Sequence, residues 1–218
     1  MKKALVIGAT GLVGSQLVDL MLEDVRFGEV VVFVRRSTGL NHPKLKEHLV
    51  DFSKPTEWQH LVKGDVLFLA LGTTRAKAGG KKAQYAVDHG FQFQFAAAAA
   101  RNMVPVLVLV SSAGANARSS FFYMRMKGEL EQDVGGLAFR RTVVIRPGAL
   151  TGPRQENRPA EKAGVVVLKM LNRAGLFRRM RPIHGRTVAK AMINACLNDE
   201  SGLHIVELQE VFKLAGET

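Results

Sequence analysis

The 218-residue chain is predicted to form a doubly wound α/β sheet, in which helices cover both faces of parallel strands. Three observations predict this fold class. Short apolar runs alternate with helical stretches, several runs are apolar at consecutive positions, and three glycines follow the first run directly. Consecutive apolar residues are typical of strands that are buried on both faces. Since 47% of the residues are hydrophobic, the chain can bury a substantial core without disulfides or metal ions.

The predicted elements alternate between strand and helix over the first 145 residues. Runs rich in Val, Leu and Phe predict strands. These strands cover residues 3–8, 30–34, 48–52, 65–71, 104–110 and 139–145. Apolar residues at helical spacing predict helices. These helices cover residues 12–24, 81–103, 120–133, 160–172 and 186–198.

The cysteine count and the apolar runs restrict where the protein is found. Cys196 is the only cysteine, so an intramolecular disulfide is impossible and a reducing compartment is indicated. The start of the chain imitates a signal peptide, but three glycines and Asp19 interrupt that pattern. No apolar run approaches the roughly 18 residues of a membrane span. We therefore expect a soluble, cytoplasmic protein without a membrane partner.

The formal net charge of +12 raises the question of a nucleic-acid partner. The richest basic cluster consists of Arg173, Arg178, Arg179, Arg181 and Arg186. Only Phe177 is interleaved with it, and the pattern matches no nucleic-acid module. We therefore expect a solvated or phosphate-facing surface and no nucleic acid. The same charge attracts an anionic cofactor or substrate over distance.

A glycine loop follows the first predicted strand and precedes an amphipathic helix. Gly8, Gly11 and Gly14 have the spacing GxxGxxG, in the context that a dinucleotide-binding loop requires. Such a loop makes a tight turn and leaves room for a pyrophosphate, whose charge faces a helix N-terminus. The predicted contacts of the loop are Gly8, Thr10, Gly11, Leu12, Val13 and Gly14. We therefore expect a Rossmann-like core.

The end of the second predicted strand selects the cofactor. An NAD site normally places an acidic residue there, to bind the ribose hydroxyls. Glu29 has the expected sequence distance from the first glycine but opens the strand, at the wrong end of the sheet. Arg35 and Arg36 stand at the correct end, and guanidinium groups pair well with a 2′-phosphate. The sequence therefore predicts NADP(H), although a surface-charged strand end is the plainer alternative.

Further cofactor contacts are predicted from position, because ligands collect at the carboxyl ends of parallel strands. In chain order they are Asp51 and Phe52 near the adenine, Leu71, Gly72, Thr73 and Thr74 beside the pyrophosphate or ribose, Ser111 after the fifth strand, and Pro147 and Gly148 beside the nicotinamide. Each of these is an ordinary loop residue by itself, but four consecutive strand ends carry suitable residues.

Tyr123 and Lys127 are the predicted proton-transfer pair. Residues at positions i and i+4 share a helix face, so both side chains can enter one site. A free phenol has a pKa near 10 and is a poor base at neutral pH. A nearby ammonium and a positive nicotinamide favour the phenolate. Lys127 would also reach the nicotinamide ribose, and Ser112 would bind the substrate oxygen, with Ser111 left open as the alternative hydroxyl.

Other kinds of site find less support in the sequence. The six histidines lack HExxH or HxH spacing, so we expect no metal site. The absence of a GxSxG segment argues against an ordinary hydrolase. Cys196 lies in an apolar helical stretch and is expected in the core.

With these residues the chain resembles an atypical short-chain dehydrogenase/reductase, and more closely the Tat-interacting-protein oxidoreductase group. The resemblance covers most of the chain, over residues 8–14, 71–79, 110–114, 122–129, 146–148 and 153–159. Residues 71–79 and 153–159 are the specific segments, because the superfamily at large lacks them. Residues 71–74 replace an Asn-containing segment of many relatives, so no role of that Asn transfers here.

The resemblance implies NADPH binding and a Ser112–Tyr123–Lys127 arrangement, but it implies no particular substrate. We expect residues 1–150 to form the cofactor-binding core and residues 151–218 a small C-terminal lobe of the same domain, on the substrate side. Arg154 and Arg158 would hold a substrate carboxylate or phosphate, or only brace their loop. The leading function is reduction of a small carbonyl substrate or oxidation of an alcohol.

The alternative function is a regulatory protein that senses NADP(H) without turnover and changes its contact with a protein partner. The oligomeric state stays open between monomer and homodimer.

Overall fold

The computed structural model describes residues 1–151 and 181–217 of the chain. Its strands are β1 (Lys2–Ile7), β2 (Phe27–Val34), β3 (Leu45–Leu49), β4 (Val66–Leu69), β5 (Val106–Val110), β6 (Arg141–Arg146), β7 (Leu150–Thr151), β8 (Ile183–His184) and β9 (Gly202–Glu207). Seven strands form one sheet in the order β3-β2-β1-β4-β5-β6-β9, and every neighbouring pair is parallel. The predicted doubly wound sheet is therefore confirmed. Strands β7 and β8 form a separate two-stranded sheet.

Helices cover both faces of the sheet. They are α1 (Gly14–Glu23), α2 (Pro55–Trp58), α3 (Arg75–Ala78), α4 (Lys81–Tyr85), α5 (Gln92–Arg101), α6 (Phe122–Gly135), α7 (Gly185–Leu197) and α8 (Gln209–Leu214). A π-helical segment, Ala86–Phe91, joins α4 to α5. The predicted helix at 81–103 therefore contains a π-helical segment. The predicted helix at 160–172 lies outside the described residues.

Strand alternation divides the core into two layers. In β5, Val106, Val108 and Val110 pack with α1, α7 and α8. Leu107 and Leu109 point to the opposite face, where α5 and α6 pack. Each layer buries continuous apolar surface, and burial contributes about 25 cal/mol per Å². The two layers hold the carboxyl ends of the strands in fixed positions.

The third strand ends earlier than predicted. Residues 48–52 were expected to be strand, but β3 spans Leu45–Leu49. Asp51 instead accepts hydrogen bonds from the amide and hydroxyl of Ser53, and Pro55 begins α2. Phe52 turns into the core, where its ring contacts Phe95 at a centroid distance of 5.2 Å. The apolar character of this segment therefore reflects a buried loop residue and not a longer strand.

Part of the C-terminal segment packs against the core. Strand β9 was not predicted, and it pairs with β6 at the edge of the main sheet. Helix α7 packs on α1, where a Cβ on Gly185 would meet the Leu12 carbonyl oxygen at 2.6 Å. Residues 185–207 therefore complete the sheet and one of its helical layers.

Two further observations apply to the described parts of the chain alone. In residues 1–151 and 181–217, no helix combines the length and the apolarity that crossing a membrane requires. Within the same residues, no group of three or more His, Cys, Asp or Glu side chains is placed to hold a metal ion.

Cys196 provides a test of the packing of α7. Burial raises the pKa of its thiol to about 12, and the side chain is 3% exposed. Because the thiolate is the reactive form, we expect iodoacetamide at pH 8.5 to leave the folded protein unmodified. In urea the same treatment should alkylate Cys196 completely, as measured by mass spectrometry. Rapid alkylation of the folded protein would contradict the described packing of α7.

Candidate functional site

The glycine loop is packed so closely that two of its glycines exclude any side chain. Gly8 has φ +85°, and a Cβ there would lie 2.4 Å from the Ala70 carbonyl. A Cβ on Gly14 would lie 2.0 Å from the Gly8 oxygen. The amide of Gly11 donates to the Gly8 oxygen at 2.9 Å, which closes the turn. Strand β1, strand β4 and the start of α1 therefore meet at one tight crossing.

Gly11, the middle glycine of the loop, is less crowded than Gly8 and Gly14 and lies in front of helix α1. Gly11 is exposed, and its nearest obstacle to a Cβ is the Gly8 oxygen at 3.2 Å. Helix α1 begins at Gly14 without a side-chain cap and without an acidic residue in its first turn. Backbone amides at such a helix start suit an anionic group. Gly11 thus forms a cradle that a Cβ would fill, and the loop fits a pyrophosphate.

Arg35 and Arg36 follow β2 directly and are both exposed. Within residues 1–151 and 181–217, neither guanidinium forms an ion pair with a carboxylate. Glu29 lies near the opposite end of β2, where its carboxylate pairs with Lys3 at 3.2 Å. The structure is therefore consistent with the prediction that Glu29 lies at the end of the sheet away from the cofactor. The described residues thus place two free cations, and no free acid, directly after β2.

Residues 71–74 follow β4, and the buried carboxylate of Asp88 binds the backbone of this segment. Asp88 is 1% exposed, and its Oδ1 accepts a hydrogen bond from the Thr73 amide at 2.6 Å. Gln84 donates to the Thr73 carbonyl at 3.4 Å. Asp88 belongs to the π-helical segment, a feature that often marks functional sites. The sequence prediction missed both supporting residues.

The two residues predicted near the adenine behave differently. Asp51 is exposed, and hydrogen bonds from the side chain and amide of Ser53 hold the pKa of its carboxyl below the usual value. Phe52 is 3% exposed and packs in the core. Its side chain therefore supports the loop, and Asp51 is the member of the pair that faces outwards.

The two consecutive serines after β5 are not equivalent. The amide of Ser111 continues the ladder by donating to the Ile145 oxygen at 2.8 Å, so strand alternation places its side chain on the α6 face. Its Oγ is buried and has no hydrogen-bond partner among the described residues. Ser112 is half-buried, and its Oγ contacts the Ala113 carbonyl at 3.4 Å. Ser111 therefore differs from the predicted Ser112 in having a buried hydroxyl whose hydrogen-bonding capacity is unused among the described residues.

Tyr123 and Lys127 lie in the first half of α6, as the spacing predicts. Tyr123 is 39% exposed, whereas Lys127 is 5% exposed. Lys127 has no hydrogen bond or ion pair within the described ranges. Its ammonium is therefore available to a ligand hydroxyl, which would supply an acceptor that the described residues do not.

A partly buried ion cluster links α6 to the sheet. Arg146, the last residue of β6, forms an ion pair with Glu131 of α6 and another with Glu207 of β9. The bidentate contact places Arg146 Nε 3.0 Å from Glu131 Oε1. Glu131 is bound by Arg146 and forms no ion pair with Lys127 in the described part of the chain. The cluster joins residues that are distant in the sequence, so no local pattern predicts it.

The segment between β5 and α6 also packs closely against its neighbours. Gly128 follows Lys127, and a Cβ there would lie 2.2 Å from the Ala117 amide nitrogen. At the other side, the Ala113 amide donates to the Pro147 carbonyl at 3.0 Å, which ties the residues after β5 to those after β6. Pro147 is buried and Gly148 half-buried. These contacts bring Ser111, Tyr123, Lys127 and the 147–148 turn to one end of the sheet.

Several predicted residues lie outside the described part of the chain or away from this site. Arg154, Arg158, Arg173, Arg178 and Arg179 belong to residues 152–180, which are not described. Arg181 stacks over the Phe212 ring at 3.9 Å, and the Arg186 guanidinium is 3.5 Å from Gln16 Oε1. These two described members of the predicted basic cluster thus contact the protein itself.

Comparison with known families identifies the kind of site. A family model described as NAD(P)H-binding matches residues 8–199 of the chain. Among solved structures, MoeE5 in complex with UDP-glucose and NAD has a TM-score of 0.71 at 18% identity, covering 98% of this chain and 81% of that chain. A short-chain dehydrogenase family protein from Francisella tularensis has a TM-score of 0.68 at 16% identity, with coverages of 95% and 97%. These similarities show the same fold.

Relatives at higher identity are fungal proteins. The protein fmp52, mitochondrial, of Aspergillus fumigatus is 42% identical over 170 residues, covering 75% of this chain and 73% of the relative. FMP52-1, mitochondrial, of Scheffersomyces stipitis is 34% identical over 222 residues, covering 97% of each chain. These relatives carry the name FMP52 and not that of the Tat-interacting-protein group.

The predicted cytoplasmic location is wrong, because relatives from several fungi are named as mitochondrial proteins. The physical reason lies in the argument from Cys196. A single cysteine excludes an intramolecular disulfide in every compartment, so it does not distinguish the cytosol from the mitochondrion.

Gly11 and Gly14 form a matched pair for testing the loop. We expect Gly14→Ala to lower the melting temperature by about 5–10 °C, because the new Cβ overlaps the Gly8 oxygen. Gly11→Ala should leave the melting temperature within about 2 °C but weaken dinucleotide binding at least about tenfold, since its Cβ fills the cradle. Calorimetry and titration of NADPH measure the two effects. Unchanged binding by Gly11→Ala would contradict the placement of the pyrophosphate.

Proposed function

The chain belongs to the NAD(P)H-binding family whose model matches residues 8–199, and from this premise we propose that it is an NADPH-dependent oxidoreductase. It reduces the carbonyl group of a small substrate, or oxidises the corresponding alcohol. The observation that most supports the proposal is the position of three groups in the fold. Ser111 directly follows β5, and Tyr123 and Lys127 lie in the first half of α6, the helix that comes next in the chain. Nucleotide binding by itself does not require these three groups.

The choice of NADP(H) over NAD(H) rests on the residues after β2. Arg35 and Arg36 are exposed and form no ion pair within the described residues, so both guanidinium groups are available to a phosphate. No free acidic side chain lies directly after β2 among the described residues. The contact between a carboxylate and the ribose hydroxyls that is normal for an NAD site is therefore disfavoured. The basic character of the whole chain, with a formal charge of +12, adds attraction for a cofactor that carries an extra phosphate.

Three side chains have separate roles in the proposed reaction. When bound, the nicotinamide supplies or accepts the hydride. Tyr123 gives its hydroxyl proton to the substrate oxygen during reduction, or takes that proton during oxidation. The ammonium of Lys127 stabilises the phenolate that remains and binds the ribose hydroxyls. The Ser111 hydroxyl donates a hydrogen bond to the substrate oxygen, with Ser112 as the alternative donor.

The surroundings of Tyr123 are open and partly apolar. Phe121, which precedes α6, is 75% exposed, and Lys81 Nζ lies 5.7 Å from the centroid of the Phe122 ring. A substrate that reaches Tyr123 therefore passes aromatic and basic side chains. Arg154 and Arg158 remain proposed contacts for a substrate carboxylate or phosphate. The resemblance to the Tat-interacting-protein group likewise remains a proposal.

Replacement of Tyr123 tests the proton transfer. We expect Tyr123→Phe to lower kcat/KM for a carbonyl substrate by at least about a hundredfold, because the proton donor is lost. Titration should show NADPH affinity within about threefold of wild type. Tyr85→Phe is the matched control, since Tyr85 is the other tyrosine and lies on α4, and it should retain wild-type turnover.

Tight NADPH binding without turnover of any substrate in a broad carbonyl panel would contradict the enzyme proposal. It would favour a sensor in which NADP(H) controls a protein contact.

Replacement of both arginines tests the cofactor. We expect Arg35→Ala with Arg36→Ala to weaken NADPH binding about a hundredfold and NADH binding less than about threefold, as a 2′-phosphate contact requires. Arg101→Ala with Lys63→Ala, which removes two exposed positive charges away from the end of β2, controls for the change in net charge. Equal losses for the two cofactors would show that the arginines do not select the phosphate.

A further inference from the structure

A carboxylate on β3 organises the segment that follows the two arginines. Glu47 Oε2 accepts a hydrogen bond from the Ser37 hydroxyl at 2.7 Å, and Oε1 accepts one from the Thr38 amide at 2.9 Å. The Thr38 hydroxyl also contacts Oε1. One side chain therefore holds two successive residues, which begin directly after Arg36.

The two hydroxyls extend this contact into the rest of the turn. The Ser37 Oγ accepts a hydrogen bond from the Gly39 amide at 3.1 Å, and the Thr38 Oγ1 accepts one from the Leu40 amide at 3.2 Å. Gly39 has φ +73°, which a residue with a side chain adopts only with strain. The turn at 37–40 is thus built around the Glu47 carboxylate.

Glu47 reaches this turn from a neighbouring strand. It lies opposite Val32 in the β2–β3 ladder, two residues before the end of β2. Burial opposes its ionisation, but the hydroxyls of Thr38 and Ser37 and the Thr38 amide outweigh burial and hold its pKa below the usual value. Three donors occupy the carboxylate, which leaves it little capacity to bind the ribose hydroxyls of NAD.

We propose that Glu47 is a positioning residue that selects NADP(H) by fixing the backbone at Ser37 and Thr38, which aims Arg35 and Arg36 at the 2′-phosphate. This inference rests on the proposed preference for NADPH. Long arginine side chains lose conformational freedom when they bind, and a fixed backbone reduces the part of that cost that falls on binding. The guanidinium groups themselves stay free because Glu47 forms its hydrogen bonds with Ser37 and Thr38.

A purely structural role predicts a different result. If Glu47 only stabilised the β2–β3 connection, its loss would lower the melting temperature and weaken NADPH and NADH equally. A role in selection changes the ratio of the two affinities. The ratio of dissociation constants for NADPH and NADH is therefore the decisive measurement.

The experiment compares the full-length wild type with Glu47→Ala, Glu47→Gln and Thr38→Val. Titrations measure dissociation constants for NADPH, NADH, adenosine 2′,5′-bisphosphate and 5′-AMP. We expect Glu47→Ala to weaken NADPH and the bisphosphate about tenfold, with NADH and 5′-AMP within about twofold. Glu47→Gln and Thr38→Val should change the same ratio by about threefold, because each keeps part of the hydrogen bonding.

Glu29→Gln is the matched control, because it removes the same charge near the opposite end of β2. It should leave both affinities unchanged. If the wild type prefers NADPH and the arginine variant loses that preference while the Glu47 and Thr38 variants keep it, the inference about Glu47 alone is overturned. If the wild type binds NADH as tightly as NADPH, the proposed cofactor preference fails and the inference fails with it.

Discussion

The crossing of β1, β4 and α1 at the glycine loop is the constraint on which the site depends. Gly8 lies against Ala70, and Gly14 lies against Gly8, at separations that leave no room for a Cβ. This contact places the α1 N-terminus beside the ends of β1 and β4. Helix α7 packs closely against the same loop, where its first residue, Gly185, contacts Leu12. The cradle at Gly11 is therefore rigid before any cofactor binds, and rigidity reduces the cost of binding.

The catalytic end of the site depends on a second set of buried contacts. Arg146 joins α6 to the ends of β6 and β9 through Glu131 and Glu207, and Gly128 lets the preceding loop lie directly on α6. The Arg146–Glu131 pair is the more buried of the two, with side-chain exposures of 18% and 8%, and breaking one partner of a buried ion pair typically costs about 3–5 kcal/mol. The position of α6 is therefore well determined, and with it the direction in which Tyr123 and Lys127 point. The two halves of the site are thus fixed independently, on opposite faces of one sheet.

The sequence predicts the features that depend on local pattern. The parallel sheet, the glycine loop, the arginines after β2 and the i,i+4 pair on α6 each follow from neighbouring residues. It does not predict contacts between distant residues. Asp88 holds Thr73 across 15 positions, and Arg146 binds Glu207 across 61. Strand β9 was missed because half of its side chains are exposed and polar residues interrupt its apolar pattern. Asp51 and Phe52 were taken for the end of a strand because a buried loop residue has the same apolar signature.

A crystal structure with NADPH bound tests the central claim most directly. The account predicts the pyrophosphate at Gly11 and the start of α1, and the 2′-phosphate within hydrogen-bond distance of Arg35 or Arg36. It also predicts the nicotinamide beside the space between the Ser111 and Tyr123 hydroxyls, where the substrate oxygen would bind, with its ribose against Lys127. A cofactor whose adenosine end lies away from the two arginines, or whose nicotinamide lies out of reach of Tyr123, would contradict it.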